Sequence, residues 1–205
     1  MKNTTTGYKA HIEIVKPIKD SRVLQQVQET LLMSPKVGRR NYTIFQVGKV
    51  TLLRVSDVLN LKLTDVFKSD GSIKHNAYIV DRKTGKRNTL YLRPLEEILH
   101  EYWQWLEEKK IYSRWLFPSI RDVSNPITEK AFYKVMAKAG DMLNINYLGT
   151  HTMRKTGAFR VYEQSEHNIG LVMSLLNHSR EATTLAYLGL DQDMRERVLD
   201  HVDFG

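Results

Sequence analysis

The chain has no cysteine, and that single absence removes disulfides, thiolate metal sites and cysteine nucleophiles together. Such a composition fits a reducing, cytoplasmic setting. Proline is scarce as well, with five in 205 residues, and no low-complexity run interrupts the sequence. No uninterrupted apolar stretch is long enough to span a bilayer, and the opening MKNTTTGYKAHIEIVKPIKD has no apolar core of signal-peptide length, so no membrane association is expected. There is no HExxH, no GxGxxG after a strand, no phosphate-binding lysine loop and no GxSxG elbow. The seven histidines are scattered without zinc-ligand spacing, so neither a metal nor a cofactor is expected.

What is present is a globular composition, 41% hydrophobic and 26% charged, of a length that suits one domain with short appendages. The net charge is +8 and unevenly spread. Residues 191–205 hold five acidic and two basic residues, a net of −3, which leaves +11 on the 190 residues before them. A basic body of this kind suits a polyanion, nucleic acid first among them.

Apolar spacing predicts helices over 21–32, with Ser21 as N-cap, over about 42–59, with Arg54 close to its end, and over PLEEILHEYWQWLEE, whose tryptophans belong to the core. Thr128 caps a further helix, Thr150 caps one that starts at His151, and IGLVMSLL reads as a buried helix that delivers Asn177 and His178 at its end. Between them, residues 66–93 alternate polar and apolar positions and break at SDG and TGK, which predicts a three-stranded antiparallel sheet with Lys83 beside the second turn. The expected fold class is α+β, mainly helical with one small sheet.

The segment HTMRKTGAFRVYEQSEHNIGLVMSLLNHSREATTLAY concentrates the chemistry. His151 and Arg154 lie three apart, and Tyr187 follows His178 by nine residues. Transfer at a phosphodiester needs a nucleophile, positive groups on the non-bridging oxygens and an acid for the leaving oxygen. Tyr, Arg, His and Lys supply all three without a metal, and a tyrosine phosphate ester retains the bond energy for rejoining. Arginine adds bidentate geometry and a charge that survives any working pH. Taken singly, Tyr187 reads as a packing residue, His178 as a helix C-cap, Arg54 as a surface charge and Lys83 as a solvated turn residue. His75, His100 and His167 read as structural or surface residues.

Jointly, these positions resemble the tyrosine recombinases of the phage-integrase family, over about residues 18–190. HTMR matches the His-x-x-Arg motif, LLNHS the Leu-Gly-His-like turn and HSREATTLAY the spacing to the tyrosine. LLRVSDVLNL matches the motif of the first arginine, Arg54, and DRKTGKRNTLYL the β-turn of the lysine, Lys83. The resemblance implies a catalytic-domain fold and a 3'-phosphotyrosine formed by Tyr187. It implies that Arg54 and Arg154 clamp the non-bridging oxygens, that Lys83 protonates the leaving 5'-oxygen and that His178 hydrogen-bonds the phosphate. His151 would assist proton transfer at Tyr187, and Asp57, three residues after Arg54, would buttress that arginine. The implied partners are a double-stranded DNA recombination site, further copies of the chain on that DNA, and accessory DNA-bending proteins.

Asn177 stands where the family usually has glycine, and asparagine tolerates the left-handed conformation such a turn needs. Residues 1–17 form a short arm where the family commonly carries a separate helical domain of about a hundred residues, so the chain reads as a short recombinase or as a catalytic fragment. Residues 191–205 predict a helix with Met194, Val198, Leu199 and Val202 as its apolar stripe, either exchanged with a neighbouring protomer or folded back. A type IB topoisomerase-like strand transferase and a DNA-binding regulator with a relic active site are the alternatives.

Overall fold

The computed structural model of the chain describes residues 15–83, 85–190 and 199–204. The first helix, α1 (Ser21–Leu32), is capped one residue earlier than the sequence predicts. The Asp20 carboxylate, not Ser21, accepts from the backbone N–H groups of Arg22 at 2.7 Å and Val23 at 3.0 Å. An anion satisfies two orphan donors there and meets the positive end of the helix dipole. The helix buries Leu24, Val27 and Leu31 against the central helix α2 (Gly38–Thr51).

The single helix expected over 42–59 is two helices. Leu52 adopts a left-handed φ of 54° and ends α2, and Arg54 is the extended N-cap residue of α3 (Val55–Leu59). A left-handed leucine costs roughly 1–2 kcal/mol. Leu52 is nevertheless buried against Ala158, Phe159, Tyr162 and Leu176, and burial of a leucine side chain contributes about 1.5–3 kcal/mol. Tertiary packing therefore overrides the local preference and turns Arg54 out of the helix line.

After α4 (Leu63–Val66), β1 (Asn76–Val80) pairs antiparallel with β2 (Arg87–Tyr91), with Asn76 opposite Tyr91 and Val80 opposite Arg87. The sheet has two strands rather than three, and the expected first strand is reduced to one bridge between Phe67 and Ile73. Just before it, the Asp65 carboxylate accepts from the Lys62 N–H at 2.7 Å and starts α4, which ends at Val66.

A 3-10 turn over Arg93–Leu95 leads into α5 (Glu96–Glu108). This helix buries Tyr102, whose hydroxyl donates to the Leu116 carbonyl at 2.8 Å, while Trp103 and Trp105 pack on the core as expected. Thr128 caps α6 (Glu129–Leu143) by accepting from the Ala131 N–H at 3.2 Å. Then come α7 (Thr152–Gln164), α8 (Ile169–Leu176) and α9 (Glu181–Leu188). Far from being buried all round, α8 is amphipathic: Val172 and Leu176 face inward and Leu171 and Leu175 are exposed. Most of the expected C-terminal helix, Met194 and Val198 included, lies outside the described residues, and Leu199 and Val202 are exposed.

The main core is built from α1, α2, α5, α6 and the sheet, and a second, smaller one joins Leu52 to α7, α8 and α9. The two meet where α2 crosses α7. A Cβ at Gly157 would collide with the Lys49 carbonyl and one at Gly48 with the Met153 side chain, so both glycines permit close approach. Because a backbone carbonyl cannot move aside like a side-chain tip, Gly157→Ala is expected to destabilise the protein by about 1–3 kcal/mol or more. Chemical denaturation checks this, and an unchanged midpoint would contradict the crossing.

Candidate active site

Arg154 enters the site from the first turn of α7. His151 occupies the N-cap position, one residue later than the sequence predicts and without a side-chain cap, and the Thr152 hydroxyl accepts from the Gly149 N–H at 2.8 Å. The guanidinium is 5% exposed, and its Nη2 donates to the Leu176 carbonyl at 3.1 Å, one of the unpaired carbonyls at the C-terminus of α8. Its Nε is buried without a hydrogen-bond partner among the described residues. A buried charged donor left without an acceptor is costly, so this atom marks where an anion would be satisfied.

Asn177 ends α8 at a left-handed φ of 56°, as the sequence predicts, and sends His178 back toward Arg154. His178 Nδ1 lies 3.0 Å from the hydroxyl of Thr184, a fully buried residue of α9. That pairing leaves Nε2 as the ring nitrogen for other work. Thr184 precedes Tyr187 by three residues on the same helix, so one face of α9 fixes the histidine and carries the phenol. The Tyr187 ring meets the His178 ring edge-on, centroids 5.5 Å apart. The Arg154 guanidinium lies 5.9 Å and the Lys155 ammonium 5.0 Å from the Tyr187 ring centre.

Burial pushes the Tyr187 phenol up to about 12, although Arg154 and Arg54 pull the other way. Its hydroxyl is buried with no partner among the described residues. His151 lies at the exposed rim. Desolvation of its inner side, followed by the charges of Arg154 and Lys155, holds its pKa below the ordinary value. Desolvation and then the two arginines do the same for His178. Both shifts favour the neutral imidazole at neutral pH, and the contact with Thr184 engages Nδ1 of His178 and leaves Nε2 for another partner.

Arg54 projects from the start of α3 and forms an ion pair through Nη1 with Asp81, a carboxylate only 3% exposed. Sequence reasoning assigned this buttress to Asp57. Asp57 is buried, but its Oδ1 accepts from the backbone N–H of Arg82 at 3.1 Å and its Oδ2 has no partner among the described residues. Burial raises its pKa, and the nearby Asp81 raises it further. Asp57 therefore braces the segment after β1, and Asp81 holds the arginine.

Lys83 sits on the exposed turn between β1 and β2. Its backbone N–H donates to Asp81 Oδ1 at 3.0 Å, and the turn closes through Gly85 N–H to the Asp81 carbonyl at 2.8 Å. Arg54, His151, Arg154, His178 and Tyr187 thus share one site, and Lys83 is tied to it by way of Asp81. Asp81 and Thr184 were missed in the sequence. Asp81 acts on an arginine 27 residues away, with only its place two residues before Lys83 as a signal, and Thr184 acts on His178 six residues before it.

Among the described residues no three His, Asp or Glu side chains form a metal-holding group, and no helix is long and apolar enough to cross a membrane. Residues 21–194 match the model described as the phage integrase family. The probable integrase/recombinase YoeC of Bacillus subtilis (strain 168) is 32% identical over 183 residues, 89% of this chain and 93% of that protein. Tyrosine recombinase XerD of Staphylococcus haemolyticus (strain JCSC1435) is 26% identical over 170 residues, 79% of this chain but 54% of the relative. In fold, the chain is similar to the XerH site-specific recombinase in a post-cleavage complex with palindromic difH substrate. The TM-score is 0.67 at 23% identity, over 95% of this chain and 55% of that one. The chain thus spans about half the length of XerD and XerH.

Proton uptake tests the electrostatics of the site. With pKa values depressed in the folded state, the unfolded chain protonates these histidines first, so they contribute stability that falls away as pH drops below about 6.5. In NMR titration the His151 and His178 rings are expected to show midpoints below the ordinary histidine value, and midpoints above it would contradict the arrangement.

Proposed function

The chain belongs to the phage integrase family, and from that premise we propose that it breaks and rejoins DNA at a recombination site through a covalent bond between Tyr187 and a 3'-phosphate. The observation that carries this reading is the gathering of two arginines and two histidines about Tyr187, with the buried Tyr187 hydroxyl and the Arg154 Nε both lacking hydrogen-bond partners among the described residues.

In the proposed reaction the scissile phosphate lies between Arg54 and Arg154. Tyr187 Oη attacks phosphorus, the bond from phosphorus to the 5'-oxygen breaks, and the 3'-phosphate stays on the tyrosine. With its pKa at about 12, the phenol is ionised to only about one part in 10⁵ at neutral pH. Its proton must therefore leave during the attack, and the neutral ring of His151 is the acceptor at hand. The Lys83 ammonium protonates the departing 5'-oxygen. Both arginines and the Nε2–H of His178 hold the non-bridging oxygens as their charge grows. Rejoining runs the same steps backward with a 5'-hydroxyl as nucleophile, so the bond energy is conserved and no ATP is consumed. The guanidinium groups supply the charge stabilisation that a divalent ion would otherwise give.

The partner of the reaction is duplex DNA, consistent with the excess of basic residues. XerH is described on a palindromic substrate, and a two-fold symmetric site matches two copies of a protein. We extend that arrangement to this chain, which would act as an assembly on its site.

A suicide duplex with a nick near the candidate site traps the covalent intermediate. Tyr187→Phe is expected to abolish adducts while DNA binding and folding persist, and an adduct with the phenylalanine variant would overturn the assignment. Arg54→Ala and Arg154→Ala are each expected to lower cleavage by about 10²–10³-fold, the usual loss for one transition-state donor. Cleavage is expected to continue in EDTA, and strict dependence on Mg²⁺ would count against the mechanism.

A further inference from the structure

Two groups assigned to the reaction come from different elements, Arg54 from the start of α3 and Lys83 from the turn between β1 and β2. One buried residue touches both. Asp81 Oδ2 is ion-paired with Arg54 Nη1, and Asp81 Oδ1 accepts from the Lys83 backbone N–H. Its own backbone closes the turn in both directions, accepting from Gly85 N–H and donating to the Lys86 carbonyl at 2.9 Å. An aspartate 3% exposed has no means of doing this by accident of solvent, since a buried carboxylate without such partners would be driven to take up a proton.

We infer that Asp81 is the positioning residue that registers the lysine turn against the phosphate-binding arginine, so that the acid and the clamp are set by one carboxylate. This rests on the functional reading above and deepens it. Arg54 has five N–H donors in a fixed fork, and the ion pair with Asp81 engages Nη1. The grip restrains the guanidinium and leaves donors for a phosphate. On the other arm, the backbone bond fixes Lys83 at its root, while its side chain stays in solvent, where it can reach the 5'-oxygen. A solvated turn without this tether would leave the acid in many positions, and misplacement by about 1 Å costs on the order of 10²-fold in rate.

Two variants separate the arms. Asp81→Ala removes both. Asp81→Asn keeps an oxygen for the Lys83 N–H and replaces the charged partner of Arg54 by a neutral amide. Each protein is assayed for covalent adducts on matched suicide duplexes with oxygen or sulfur at the 5'-bridging position, since a thiolate leaves without help from an acid. Amide exchange of the peptide spanning residues 81–90 is followed without DNA.

For Asp81→Ala the turn is expected to exchange faster, and cleavage of the oxygen substrate is expected to fall by about 10²-fold or more, with about tenfold or more recovered on sulfur. For Asp81→Asn the turn is expected to exchange as in the unaltered protein, and cleavage to fall by the same factor on both substrates. Unchanged exchange in Asp81→Ala, or equal losses on oxygen and sulfur, would overturn the inference and leave Asp81 as a partner of Arg54 alone. An unaltered protein that forms no adduct on either substrate would instead defeat the proposed function, and the exchange measurement would still decide whether Asp81 holds the turn.

Discussion

Arg54 and Arg154 are a hundred residues apart in the chain, and the close crossing of α2 over α7 is what makes them neighbours. At that crossing Gly157 lies against the Lys49 carbonyl and Gly48 against Met153, so the helices approach more closely than any side chain at these positions would permit. The first turn of α7 then emerges beside the end of α2, where Leu52 swings the chain out of the helix line. Leu52 is itself sealed by α7, α8 and α9. The same contact that strains the leucine therefore also seats the helices bearing His178 and Tyr187. A change at the crossing would be felt at every group in the site, although none of those groups touches it.

Tyr187, the proposed nucleophile, is mounted on a lighter framework than Arg154. Of the eight residues of α9, Thr184 and Leu188 are buried, whereas α7 buries most of its length. Full burial of one leucine contributes about 1.5–3 kcal/mol, so little apolar area resists displacement of α9. Elements held by few buried contacts open at low free-energy cost. In the proposed reaction a tyrosine takes hold of a DNA strand and later releases it, and a firmly seated Arg154 beside a lightly held Tyr187 would be a serviceable division for that.

Much of this was legible in the sequence because residue types suited to phosphoryl transfer recur there in the spacing of a known family. Arg54, His151, Arg154, His178 and Tyr187 were singled out and do share one site; the cap at Thr128 and the left-handed Asn177 follow from local side-chain geometry. What was not legible depends on partners far away in the chain. The break at Leu52 is decided by Phe159, Tyr162 and Leu176, and a local reading of residues 42–59 sees only a continuous helical pattern. The first strand of the expected sheet is reduced to the bridge between Phe67 and Ile73. The family resemblance implies Asp57 as the buttress of Arg54, whereas the ion pair is made by Asp81, 27 residues on and just past the end of β1. Asp57 and Asp81 are both buried carboxylates near the same arginine, and only the backbone donors of Arg82 and Lys83 decide which faces it.

The presence of acid in a phosphate site follows from the charges at each stage of the proposed reaction. Arg54 and Arg154 bring two positive charges into a poorly solvated space, Asp81 offsets one, and a phosphodiester would offset the other. In the transition state the phosphoryl group gains a further negative charge, and only a site with positive charge in reserve gains from it. Lys83 is part of that reserve, its turn held by the Asp81 carboxylate, and it falls on the side where the leaving oxygen of the proposed reaction would develop its charge. Asp57 turns its Oδ1 to the Arg82 N–H, while Asp81 pairs with Arg54. One carboxylate is enough to orient a guanidinium.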